Sequence, residues 1–195
     1  MPVEITRRRF TADDYQRMGR VGILSEDDRV ELIAGEIVAM TPIVPRHNAA
    51  VNRATRAMMA AVGDKAIVQV QGSVRLDLYH EPQPDLVLLR PQADDYASGL
   101  PGPKDILLIV EVADSPSDYD RNVKSRVYAE AEIGEYWLAD LAENAVFVYS
   151  GPQGGAYVSL AQHHPGQSIA PQALPDAVVA VQMLLAGSVS ENTTL

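Results

Sequence analysis

Residues 106–128, ILLIVEVADSPSDYDRNVKSRVY, constrain the fold more than any other stretch of the chain. Ile106 to Val110 is an unbroken apolar run of strand length, and it ends on a carboxylate, Glu111. A polar loop with Ser115, Pro116 and Ser117 follows. A helix is then predicted from about Asp118 to Ile133, stopped by Gly134, and it carries Lys124 inward. A short apolar run of this kind reads as a buried strand. A charge at its end, and a lysine one loop later, are costly to bury unless each is paired or ligated.

The rest of the chain agrees with one domain built around that strand. Its 195 residues suit a single unit, taken as 1–186 with 187–195 as a flexible tail. There is no cysteine, which removes disulfides and thiolate metal sites and fits a cytoplasmic protein. The N-terminus MPVEITRRRF has no apolar segment after its basic residues. The longest aliphatic runs are about five residues, so neither a signal peptide nor a membrane span is expected. The net charge of −10 is unevenly spread: residues 1–65 carry 10 Lys/Arg against 9 Asp/Glu, and residues 66–195 carry 6 against 17. Such a chain is a poor generic binder of duplex DNA, whose affinity comes largely from neutralised phosphates. A nucleic-acid partner would have to be met by the N-terminal third, or by a metal offsetting the acidic part.

In chain order, Thr11 and Asp14 resemble a capping box ahead of a short helix from about Ala12 to Gly19. RVELIAGEIVAM reads as a hairpin turning at Ala34-Gly35, with Glu31 either facing inward or lying on a rim. Residues 45–62 form the clearest helix. Pro45 opens it, and Ala50, Val51, Ala54, Ala57, Met58 and Ala61 make an apolar stripe. Arg46, Arg53 and Arg56 lie on another face. Strands are predicted at about 66–71, 73–78, 85–90 and 106–112, with 91–104 as a Pro/Gly-rich loop. EYWLADL and AVFVYS read as a hairpin with Trp137 in the core, GPQGG as a turn before a strand at 157–160, and 177–185 as a strand or short helix. His163-His164 reads as loop. The expected architecture is α/β (α+β): a central mixed β-sheet flanked by helices, with an N-terminal hairpin.

Asp85 and Glu111 both sit at ends of apolar strands, and on neighbouring strands their carboxylates can converge. Two such charges about 4 Å apart repel by roughly 4 kcal/mol at an effective dielectric near 20. A divalent cation removes that penalty. Mg²⁺ takes oxygen ligands and keeps several waters, so two carboxylates and a backbone carbonyl suffice for it. Asp120, Lys124 and Tyr128 are spaced by four on the helix and share a face. Lys124 could then orient or deprotonate a water, or stabilise charge on a phosphoryl group. Read blandly, the same residues are a strand-end pair, a snorkelling lysine and a core tyrosine.

Pro84-Asp85, Glu111-Val112-Ala113 and EVADSPSDYDRNVKSRVYAEAEIGEYWLADL together resemble the PD-(D/E)xK nuclease superfamily. The closer likeness is to a bacterial restriction-endonuclease-like branch, whose N-terminal hairpin and histidine RVELIAGEIVAMTP and His47 match. The resemblance spans about residues 10–185. It implies a restriction-endonuclease-like fold and a Mg²⁺- or Mn²⁺-dependent endonuclease hydrolysing phosphodiester bonds in DNA. By that resemblance Asp85, Glu111 and Lys124 are catalytic, and Asp85, Glu111 and Glu31 bind metal. His47, Asp120 and Tyr128 support the site, and Arg46, Arg53 and Arg56 are candidate nucleic-acid contacts. Superfamily members often dimerise, so a homodimer is expected. Ala113 departs from the pattern, which has lysine there; Lys124 from the following helix would replace it. Two other readings stay open: a non-catalytic interaction module on the same fold, and a hydrolase of small phosphoesters.

Overall fold

A computed structural model of the chain describes residues 7–25, 27–42, 44–114 and 119–185. The predicted loop at Ser115–Ser117, the helix start at Asp118 and the tail 187–195 lie outside the described residues.

Helix α1 (Ala12–Arg20) opens on the expected capping box, Thr11 and Asp14 each bonding the other's backbone N–H. Strands β1 (Val30–Ile33) and β2 (Glu36–Ala39) pair antiparallel. Ala34 and Gly35, at φ 52° and 76°, make their turn, the doubly left-handed geometry that suits a two-residue hairpin. Helix α2 (Pro45–Val62) buries Ala50, Val51, Ala54, Met58 and Val62.

The central sheet has six strands in the order β3-β4-β5-β6-β7-β8: β3 Ile67–Val70, β4 Leu86–Leu89, β5 Ile106–Ala113, β6 Glu135–Asp140, β7 Ala145–Gln153 and β8 Ala156–His163. Every neighbouring pair is antiparallel except β5 and β6, which run parallel. A parallel pair needs a crossover. Here it includes a π-helical turn, Tyr119–Lys124, running straight into helix α3 (Ser125–Glu130). Two short strands, β9 (Ser168–Ile169) and β10 (Val179–Ala180), pair outside the sheet, and a 3₁₀ turn, Val181–Met183, follows. Among the described residues no helix is long and apolar enough to cross a membrane.

Strand alternation sorts the core into two layers. Leu86, Leu88, Leu108, Val110, Val112, Trp137 and Ala139 pack with the α2 stripe. Val87, Leu89, Ile109, Ala113, Tyr136 and Leu138 pack with Val127 and Tyr128 of α3. Trp137 is a core residue as expected, its indole N–H donated to the buried Glu135 at 2.8 Å.

Three readings need correction. Residues 73–78 are not a strand. Val74 and Leu76 are buried, and their N–H groups bond the carbonyls of Pro82 and His80. Pro82 has no N–H to return, so a ladder cannot close. The helix over 118–133 is instead a π turn plus α3, and its stop is Glu132 rather than Gly134. Glu132 has φ 59°, its N–H bonds Ala129 O, and the Ile133 N–H bonds Tyr128 O, which is a Schellman ending. His163 belongs to the end of β8, opposite Val146, and only His164 lies beyond it.

An exposed glutamate in the left-handed region is strained relative to glycine. Glu132→Gly is therefore expected to stabilise the protein by about 1 kcal/mol. The check is the urea midpoint at unchanged slope; a lower midpoint would contradict the cap assignment.

Candidate active site

The last paired step between β4 and β5 is Leu86↔Val110. One step further along lie Asp85 and Glu111, both buried. The Asp85 N–H donates to Glu111 Oε2 at 3.3 Å, and the Val112 N–H donates to Asp85 Oδ2 at 2.9 Å. The strand register thus fixes both carboxylates at one end of the sheet.

Glu111 belongs to the α3 layer by alternation with Ile109 and Ala113. Its Oε1 accepts from Lys124 Nζ at 2.9 Å and from the Tyr128 hydroxyl at 2.6 Å. Lys124 also pairs with Glu31 Oε2 at 3.4 Å. Glu31 faces inward from β1, 2% exposed, and it accepts from the Gln83 N–H at 3.3 Å and from the Tyr119 hydroxyl at 3.2 Å. Asp85 is held from the α2 side. His47 Nε2 lies 3.0 Å from its Oδ2, and the Gln71 side-chain amide donates to Oδ1 at 3.2 Å. The site therefore sits between the two helical layers, with the hairpin as its third wall. It opens into a cleft of about 420 Å³ lined by Glu31, His47, Asp85, Glu111, Asp120 and Lys124 among others.

Burial and charge set the ionisation of these groups. Burial pushes the Glu111 carboxyl up to about 8; the Lys124 ammonium pulls against it, and the Asp85, Asp120 and Glu31 charges add to the push. Burial alone would strip the Lys124 proton, but Glu111, Glu31 and Asp120 outweigh it and hold that pKa above the ordinary lysine value. Lys124 is thus the fixed positive charge of the site, and Glu111 is the group whose charge is most easily changed. For Asp85 burial works upward, yet the His47 bond and charge and the Val112 and Gln71 bonds together hold the carboxyl below its usual range. The bond to Asp85 raises the His47 imidazole against the effect of burial.

Among the described residues no group of three or more His, Asp or Glu side chains is placed to hold a metal ion. The two carboxylates nevertheless suit a hard cation. Each carboxylate oxygen has two lone pairs. Among the described residues Glu111 Oε2 and Asp85 Oδ1 each take one long donor, at 3.3 and 3.2 Å. An open site of two carboxylates completed by water is the kind Mg²⁺ occupies.

The structure thus brings together Asp85, Glu111, Lys124, Glu31, His47 and Tyr128, with Asp120 in the cleft wall. Of the α2 arginines, Arg46 reaches only the cleft edge, through the cleft-lining Asp114, and Arg53 and Arg56 lie outside the lining. Arg46 donates to Leu141 O at 2.6 Å and pairs with Asp114 at 3.2 Å, Arg53 donates to Gln182 O, and Arg56 is exposed outside the cleft. Tyr119, Gln71 and Arg29 were not singled out from sequence. Tyr119 was within reach of a pattern argument, being next to Asp120. Gln71 acts through a left-handed backbone, φ 48°, that no spacing reveals.

Removing the cation while keeping its bulk takes the counter-charge from buried Glu31 and the ammonium hydrogen bond from Glu111, whose carboxyl is pushed further toward its neutral form. Lys124→Met is expected to lower unfolding free energy by about 3–5 kcal/mol. A loss under about 1 kcal/mol in urea titration would contradict the pairing.

Residues 12–182 match the family described as "Uma2: Putative restriction endonuclease". No curated protein matches significantly. Among solved structures, the chain is similar to a "putative nuclease belonging to DUF820" from Anabaena variabilis. The two share 18% identity and a TM-score of 0.68, over 90% of this chain and 97% of the other. At that identity the likeness speaks to the fold, a central mixed sheet with flanking helices.

Proposed function

The chain belongs to the Uma2 family, and from that membership and the cleft geometry we propose that it is a divalent-metal-dependent endonuclease cutting phosphodiester bonds in DNA. One observation carries the reading: the main chain of Asp85 is bonded to Glu111, and Lys124 touches Glu111 at 2.9 Å inside an open cleft. A carboxylate pair beside a fixed cation can hold a divalent metal and stabilise charge on a phosphoryl group.

In this reading Asp85 and Glu111 hold Mg²⁺ or Mn²⁺, with Glu31 behind them. When bound, the cation offsets the carboxylate charge and polarises a phosphoryl oxygen. His47 keeps Asp85 ionised and oriented. Tyr128 secures Glu111 Oε1 and leaves Oε2 for a ligand or a water. Lys124 remains protonated, so its role is to stabilise negative charge growing on the phosphoryl oxygens, not to accept a proton. The departure at Ala113 supports this assignment. Residues 111 and 113 share a face, and Ala113 and Lys124 both line the cleft. A second reading, the non-catalytic module, draws support from the same contacts, since Lys124 and His47 already compensate both carboxylates.

The test is Mg²⁺-dependent cleavage of DNA. Glu111→Gln and Lys124→Met, each compared at a temperature where it remains folded, are expected to lower the rate by about 10²-fold or more. Undiminished cleavage in folded Glu111→Gln would overturn the endonuclease reading. Absence of both cleavage and metal binding in the wild type would favour the module.

A further inference from the structure

Resting on the phosphodiesterase reading, we infer that Arg29 is the phosphate-binding residue of the cleft, and that the polymer it grips is a single strand.

Three side chains lining the cleft can carry positive charge: Arg29, His47 and Lys124. Lys124 is committed to Glu111 and Glu31, and His47 to Asp85. Arg29 forms no ion pair among the described residues. Its one side-chain bond reaches Thr41 O at 3.5 Å, the far limit of a hydrogen bond. Its backbone is nevertheless fixed, because the Met40 N–H bonds Arg29 O at 2.8 Å across the hairpin. The cleft that holds the carboxylate pair thus also offers an anchored guanidinium with no ion pair among the described residues. A guanidinium presents a planar fork that matches two phosphate oxygens.

The rest of the surroundings decides between strand and duplex. Duplex DNA presents a charge every ~1.7 Å of axis, and its binders neutralise several phosphates at once. Here the chain is net −10, Arg53 and Arg56 lie outside the cleft, and Arg46 at its edge is paired with Asp114. One guanidinium answers one phosphate. Val38, Met40 and Val44 also line the cleft, and such apolar side chains suit the sugar and base of an unpaired nucleotide.

The experiment measures anisotropy of a short fluorescent oligothymidylate with Ca²⁺ present, alongside Mn²⁺ calorimetry on the same proteins. Arg29→Ala is expected to weaken oligothymidylate binding about tenfold or more. The log–log salt slope should become shallower by about one, and Mn²⁺ affinity should be unchanged. Arg29→Lys recovers part of the affinity, Arg56→Ala loses none, and a duplex of equal length binds more weakly than the strand. Unchanged binding in Arg29→Ala would overturn the assignment of Arg29. Tighter binding of the duplex, or no binding of the oligothymidylate by wild type, would overturn the single-strand assignment. Anisotropy reports the strand and calorimetry the carboxylate pair, so failure of one without the other identifies which reading has failed.

Discussion

A buried ammonium holds the structure's acidic end together. Lys124 lies between Glu111 and Glu31, and all three side chains are almost wholly removed from solvent. Without that charge, β5 could not carry an ionised carboxylate at Glu111 inside the core, because an unpaired buried ion is strongly unfavourable. Tyr128 and Tyr119 complete the arrangement from the helical side, one hydroxyl to each glutamate. Three separate segments, the hairpin, the central strand and the crossover, are therefore joined through one side chain.

The sheet supplies what that interaction needs. β4 and β5 are antiparallel, so their register sets Asp85 opposite Glu111 just beyond the last ladder pair. β5 and β6 are parallel, so the chain must cross over, and the crossover is what delivers Lys124. The π turn of the crossover is anchored by Arg121, which pairs with the buried Asp140 at 2.7 Å and with Glu143 at 2.7 Å, its guanidinium 4.3 Å from the Phe147 ring. π turns are uncommon and tend to occur at functional sites. Here it supplies both the Tyr119 hydroxyl and the lysine.

Much of this was legible in the chain itself, for a physical reason. Asp85, Glu111 and Lys124 are charges set against apolar runs, and a buried charge needs a partner whatever the fold. The α2 stripe and the Ala34-Gly35 turn follow from period and from turn chemistry. The misread parts depend on geometry that spacing does not carry. The alternation at 73–78 is genuine burial, but Pro82 denies it a ladder. The helix end moved to Glu132 because tertiary packing holds a non-glycine residue in the left-handed region. The α2 arginines read as a candidate contact face; Arg46 reaches the cleft edge through Asp114, while Arg53 donates to Gln182 O and Arg56 stays exposed outside the lining. Arg29 drew no notice, since its position depends on how the hairpin folds over the sheet end.

The central claim is that Asp85 and Glu111 form one cation site. The most direct test is Mn²⁺ calorimetry on wild type and on a folded Asp85→Asn/Glu111→Gln double variant. Saturable binding in wild type, lost in the double variant, is the predicted result. Equal binding by both proteins, or none by wild type, would contradict it.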